Sequence, residues 1–516
     1  MELASSSMVT AGWVLILCYA GVILYFVIRG AGQTKEMDDY ALGSVLFSPT
    51  AVGLSLAASI TSAATFIINP GFVSLYGFSG VIAMGLALPL ATLGSLILFT
   101  KGFRNFGTNV KALSMADWIR KMYDSRRFGI LFGFLSFLLI TFIVLICVGL
   151  TKVLASTLNI REFYVLLGIV IFIFGYMMYG GANSMVYTNT IQAILMVIVA
   201  IMLLGSGYDH FSNGVTGFME KLNAIDPKLT QLTNDSSFLF RDYFEIFVAP
   251  FIVGIAIVCQ PHILTKSLLL DREEDVNRYL IVGITTQFLF FLVVIAGLYA
   301  RISFPDLSVD GEALAMDGIV SAYVVKEFKV AIALIIVLGL ISAGVSTLES
   351  LIQSLSTSIT NDIIEPLFGK GIFEKDIFGL PAKLVYNRFV IVAMGIVTVF
   401  LSWQQLVNPK LSVGIFAQNG VYAYFSAAFV PILMGMFFKN VPKEAPIWAS
   451  LVAVTVHFTV YYGQIRVPFS EADGENPAVA AALAITSAVM AGFAIYAIKN
   501  KGIQLRSDNE KATASV

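Results

Sequence analysis

Ala343, Ser346, Thr347, Ser350 and Ser354 recur at i, i+3, i+4, i+7 and i+11 within ALIIVLGLISAGVSTLESLIQSLSTSITNDI, so they share one face of a helix. Such a row of small and hydroxyl residues permits close helix packing. It becomes a binding wall only if a second wall faces it. The stretch SLAASITSAATFIINPG, residues 55–71, offers one, because its hydroxyls and small residues interrupt an apolar run. Carbonyls freed at Ala58, Thr61 and Ala343, joined by the hydroxyls of Ser346 and Thr347, would supply five oxygen ligands. Hard cations take oxygen donors, and carbonyls of unwound membrane helices hold Na⁺ in coupled transport. None of the five groups titrates, which suits Na⁺ better than a proton.

Other polar residues sit in equally apolar surroundings. Thr65 and Asn69 follow Thr61 by one and two turns. Gln260 and His262 flank Pro261 in APFIVGIAIVCQPHILTKSL, and Gln418 and Asn419 interrupt GIFAQNGVYAYF. An amide both donates and accepts, so Gln260 and Gln418 could orient a solute or join two helices. The same two readings hold for Asn419, and His262 reads as a pocket residue or a packed one. Glu349 is the one carboxylate deep within an apolar run, where acids are costly and usually functional; a hydrogen bond to a neighbouring helix is the structural alternative. Lys152 and Lys266 lie near run ends and are expected to snorkel to headgroups.

The elements that must position these residues are membrane spans. The chain has 516 residues, is 58% hydrophobic and 13% charged, and has a mean hydropathy of +0.84. Soluble domains carry about 25% charge. Apolar runs of about 20 residues cross a bilayer, and about thirteen are legible: 8–28, 48–73, 79–101, 128–156, 161–180, 185–206, 241–264, 279–301, 329–360, 385–404, 411–438, 445–463 and 476–498. The reading is thus an all-α polytopic membrane protein of the cell membrane. The first run is long enough to remain a span and has no cleavage signal. Cys18, Cys147 and Cys259 lie within runs and read as apolar fillers. No GxxxxGK[ST] loop, HExxH pair or CxxC cluster is present, so an ATP-driven pump has no engine here. The basic residues Lys101, Arg104, Lys111, Arg120, Lys121, Arg126 and Arg127 cluster between two runs, which orients the N-terminus outside and the C-terminus inside.

The second and seventh runs are both broken by Gly and Pro and lie five spans apart. Such matching interruptions point to an inverted repeat with its site at the breaks. The expected organisation is a leading helix and linker (1–47), a first repeat (48–206), an outer loop (207–240), a second repeat (241–438), two trailing helices (439–498) and a cytoplasmic tail (499–516).

Several motifs carry a family resemblance over about residues 10–500. SLAASITSAATFIINPGF, YGGANSMVYTNTIQ, ALSMADWIRKMYDSR and the ordered pattern STLESLIQSLSTSITNDI resemble the sodium/solute symporter family. The resemblance implies a LeuT-type five-plus-five inverted repeat with one leading and two trailing helices. It implies a sodium site at Ala58, Thr61, Ala343, Ser346 and Thr347, the set already reached from oxygen chemistry. It places His262 where members line the solute pocket and the span of Gln418 and Asn419 on the path to it; with Thr65, Asn69 and Gln260, read from their own positions and chemistry, these make the expected solute site. Many members have Asp where this chain has Asn189, and in relatives with a second sodium that Asp helps to bind it. One coupling Na⁺ is therefore expected, with Asn189 and Glu349 as the coupling candidates. Sugar-carrying relatives place a carboxylate on the third span, whereas SGVIAMGLALPLATLGS has no charge, which favours an amino acid or monocarboxylate over a sugar. A proton-coupled symporter using Glu349 or His262 and a sodium/sugar symporter are the alternatives within transport; a sensor would need an output domain, and a channel would not saturate with solute. Expected partners are Na⁺, a small solute and the bilayer, with no organic cofactor, enzyme activity or nucleic acid; oligomeric state is not legible.

Overall fold

Prolines inside the spans set the local geometry. Each lacks an N–H, and its ring presses on the carbonyl four residues back. The computed structural model describes residues 5–505 apart from 45, 63, 310, 378, 409–411, 468–469, 472–474, 501 and 503. In it, a widened π-helical turn ends two residues before each of Pro70, Pro89, Pro250 and Pro366. The turns are Ala64–Ile68, Ala83–Ala87, Phe244–Val248 and Ile359–Ile364. A π turn relieves the clash by relaxing the α-helical register. Pro431, inside Val413–Phe437, is handled differently: the carbonyl of Ala427, four residues back, accepts from Ser450 Oγ at 2.8 Å on the neighbouring helix Glu444–Tyr462. Ser450→Ala strands that buried carbonyl, and the expected loss is about 1–3 kcal/mol, read as a lower melting temperature of the purified protein.

Among the described residues, ten helices are long and apolar enough to cross a membrane, and two further spans are bent pairs. Apart from the short ribbon Ser308–Val309 with Glu312–Ala313, the fold is helical. Residues such as Val14, Leu17, Tyr25 and Ile28 on the first helix, Ser6–Ala31, point outward, as a multi-pass membrane protein requires. The expected tail lies outside the described residues from position 506.

Glu162–Gly205 has 44 residues, about 66 Å at 1.5 Å per residue, roughly twice the hydrocarbon thickness. It is folded back on itself. Gly181 has φ 59° and ψ −159°, a region essentially confined to glycine. Tyr176 and Thr188, on opposite sides of it, reach the two oxygens of a single carboxylate, that of Glu349; on a continuous helix they would stand about 18 Å apart. This corner falls between the runs read at 161–180 and 185–206. A Cβ at Gly181 would lie 2.7 Å from Tyr40 Cδ2 and 2.9 Å from its backbone. Gly181→Ala is expected to cost more than the roughly 1–3 kcal/mol of backbone strain alone, and its yield of monodisperse protein should collapse.

The two bent spans are Pro49–Ile60 with Ala64–Tyr76 and Phe244–Ile257 with Pro261–Leu269, each bent by 57°. The second break follows from Pro261, which forces Gln260 into extended backbone (φ −79°, ψ 141°). Each bent span packs on the helix that follows the other. Pro49–Ile60 meets Asp275–Ser303 where Gly53 and Gly283 let the backbones approach, and Phe244–Ile257 meets Phe78–Asn109 at Gly254. That exchange is the arrangement an inverted repeat produces. Between them runs Val330–Ser358, buried on every side from Gly339 to Ser358.

Candidate ion and solute sites

The helix Pro49–Ile60 ends at Thr61, whose backbone is extended (φ −90°, ψ 104°). The break turns the carbonyls of Ala58 and Thr61 toward the buried helix. There Ser346 Oγ lies 2.9 Å from Ala58 O and 3.1 Å from Ala343 O. Thr347 Oγ1 lies 3.3, 3.0 and 3.2 Å from the carbonyls of Ala58, Thr61 and Ala343. The five groups expected from the sequence are thus one cluster, and all five residues are fully buried. Two hydroxyl hydrogens face three carbonyl oxygens, so the cluster is rich in lone pairs and has no titratable group. One detail differs from expectation: Ala343 lies within a continuous helix, so its carbonyl is not freed by unwinding and offers its second lone pair. The Thr61 hydroxyl points away, donating to Gln287 Oε1 at 2.9 Å. Its carbonyl alone belongs to the cluster.

One turn along, a cavity of about 110 Å³ is lined by Ser62, Thr65, Asn69, Gln260, His262 and Gln418, with Phe142, Phe291 and Tyr422 among its apolar walls. Gln260 Nε2 donates to Ile257 O at 3.0 Å, the carbonyl four residues before Pro261. Its buried Oε1 has no protein partner, and neither has His262 Nδ1. Both unpaired atoms sit at the second break. Five of the six residues expected at a solute site therefore line one cavity. Asn419 does not. It faces away, donating to Tyr462 Oη at 3.1 Å and contacting His457 Nε2 at 2.9 Å, so it joins two helices. Adjacent positions on a helix point about 100° apart, and the sequence could not choose between Gln418 and Asn419.

A second polar cluster lies on the other side of the ion cluster. Glu349 accepts from Tyr176 Oη and, at 2.6 Å, from Thr188 Oγ1, so its carboxylate ties both arms of the Gly181 hairpin to the central helix. Asn189 is oriented by its neighbours. Its nitrogen donates to Glu349 Oε2 and Gln192 Oε1, both at 3.0 Å, and its oxygen accepts from Lys266 Nζ at 3.2 Å. Lys266 Nζ also donates to Ser55 Oγ at 2.9 Å. Lys266 is 2% exposed and does not snorkel, because the break at Gln260 turns Pro261–Leu269 into the protein. Lys152 keeps a partly exposed ammonium, 3.8 Å from Asp317. Sequence reading sent Lys266 to the headgroups and gave no role to Tyr176, Thr188 or Gln192; the signal was the hydroxyl and amide content of their spans. Asp362, which closes the STLES pattern, accepts from Ser114 Oγ at 2.5 Å and Ser358 Oγ at 3.1 Å, anchoring the basic loop helix Met115–Met122.

With this geometry in place, the comparisons are decisive on family. The model of the sodium:solute symporter family matches residues 40–453. The chain belongs to that family. Members are transporters, not enzymes, and several relatives are sodium symporters. The sodium/pantothenate symporter of Escherichia coli K12 is 26% identical over 296 residues, 55% of this chain and 59% of that protein. The high-affinity proline transporter PutP of Bacillus subtilis is 22% identical over 447 residues, 84% of this chain and 87% of the relative. The sodium/sialic acid symporter NanT of Aliivibrio fischeri is 21% identical over 365 residues, 69% and 70% of the two chains. In fold, the family member described here is similar to a solved Na⁺-coupled sialic acid symporter, with a TM-score of 0.75 at 19% identity over 96% of this chain and 99% of the other. That likeness establishes the LeuT-type architecture the motifs implied.

Proposed function

We propose that this chain is a sodium-coupled secondary symporter that imports a small carboxylate-bearing solute together with one Na⁺. The observation that carries the reading is the convergence of Ala58, Thr61, Ala343, Ser346 and Thr347 on one buried, acceptor-rich point a turn from the cavity. A Na⁺ there draws the first bent span onto the central helix and so orders Ser62, Thr65 and Asn69 at the cavity edge. Its greater affinity for the outward-facing state couples the gradient to uptake. The cavity is smaller than the few hundred Å³ usual for drug-sized ligands, which favours a compact solute. Pantothenate, proline and sialic acid, carried by the relatives named above, all bear a carboxylate. Asn69 and His262 offer donors to such a group, with Gln260 Oε1 left to accept from an amine or hydroxyl. The N-terminus lies outside and the C-terminus inside, following the basic 101–127 loop. A thermal-shift screen of purified protein against small carboxylates, amino acids and sugars tests this. The expected hit stabilises only with Na⁺ present; a solute that stabilises equally in sodium-free buffer, or one whose uptake follows pH and ignores Na⁺, refutes it.

A further inference from the structure

The oxygens around Lys266 repeat the pattern of the ion cluster one helical turn away. Asn189 Oδ1 lies 3.3 Å from each of Ser55 Oγ, Ser59 Oγ and Ser350 Oγ. Ser59 and Ser350 hydroxyls are 2.8 Å apart, and Ser59 and Ser350 also donate to Ser55 O and Ser346 O at 2.7 and 2.9 Å. Every one of these residues is fully buried. The same two helices build both clusters: Ser55 and Ser59 bracket Ala58, and Ser350 follows Ser346 by four residues, about 6 Å of rise. The second cluster therefore has neutral oxygen donors suited to a monovalent cation, and a covalently attached one reaches two of them: Lys266 Nζ lies 2.9 Å from Ser55 Oγ and 3.2 Å from Asn189 Oδ1. Its charge is balanced through a single amide. Asn189 accepts from Lys266 Nζ on one side and donates to Glu349 on the other.

We propose that the Lys266 ammonium is a tethered cation held by Ser55 Oγ and Asn189 Oδ1 at a second oxygen cluster, which Ser59 and Ser350 complete, and balanced by Glu349 across Asn189. Its presence closes that cluster to free ions, so that the chain itself supplies the charge a second Na⁺ would carry. An aspartate at 189 would put a second carboxylate against the ammonium; the neutral amide instead relays between one positive and one negative group. Ser55 Oγ turns a lone pair to Nζ, and Ser59 and Ser350 each have a backbone carbonyl within reach of the hydroxyl hydrogen. For its effect on stoichiometry this inference rests on the single-ion reading above; the cluster itself does not.

The test is Lys266→Ala, which removes the ammonium and opens the space its stem filled. Purified Lys266→Ala protein should melt several degrees below wild type, and methylammonium should raise its melting temperature while leaving wild type unchanged. Equilibrium ²²Na⁺ binding should rise from one ion per chain in wild type to two in the variant. A Lys266→Ala protein as stable as wild type, or one on which methylammonium acts no differently than on wild type, overturns the proposal. If Lys266→Ala does not fold, Lys266→Ala combined with Glu349→Gln, which removes both charges, should fold and bind one Na⁺; a double variant that also fails to fold overturns it. Methylammonium rescue needs no sodium. It therefore separates failure of the tethered cation from failure of sodium coupling, which shows instead as solute uptake indifferent to Na⁺.

Discussion

Thr347→Val should raise the Na⁺ concentration for half-maximal uptake at least tenfold, a loss of about 1.4 kcal/mol or more, while sparing the fold. The side chains are similar in size, but only threonine carries the hydroxyl that reaches the carbonyls of Ala58, Thr61 and Ala343 together. Removing it deletes one of five ligands and also the contact that holds the first break against the central helix. Thr61→Val is the control. The Thr61 hydroxyl is committed to Gln287, so this variant should keep its Na⁺ affinity within about threefold and show its effect, if any, in stability. Sodium titrations of uptake in proteoliposomes distinguish the two. Equal shifts in both variants would mean that the hydroxyl of Thr347 acts on packing and not on the ion.

Glu349→Gln should be among the most destabilising conservative changes in the protein. Stripping one partner from a buried charge pair costs about 3–5 kcal/mol, because the other charge is left without compensation. Here the pair is bridged by Asn189, and Glu349 also accepts from Tyr176 and Thr188 on the two arms of the hairpin. Combining Glu349→Gln with Lys266→Met should recover a large part of that loss, with a coupling energy of about 1–3 kcal/mol in a double-mutant cycle read by thermal or chemical unfolding. Simple additivity of the two changes would show that Lys266 and Glu349 are stabilised separately.

The parts of this account legible in the sequence are those governed by local rules. Helical spacing put Ser346 and Thr347 on one face with Ala343, and oxygen chemistry grouped them with Ala58 and Thr61, which the structure brings into contact with them. Gly and Pro marked both broken spans, and the Asn at 189 drew attention to the second cluster. What escaped the sequence depends on where a bent helix points. Lys266 sits at the end of an apolar run, and counting residues along a straight span sends it to the headgroups; the turn at Gln260 sends it inward, where it meets Ser55 over 200 residues away in the chain. Asn419 failed for a related reason, since the facing of two adjacent amides is decided by the neighbouring helix and not by their own. The Gly181 hairpin was visible only as a gap between two apolar runs, although its backbone explains why YGGANS needs glycine there.

The direct test of the central claim is a count of ²²Na⁺ bound at equilibrium to purified wild-type protein and to Thr347→Val. One ion per chain in wild type, lost at the same Na⁺ concentration in Thr347→Val, is the predicted result. Two ions per wild-type chain, or one ion retained with unchanged affinity in the variant, would contradict it.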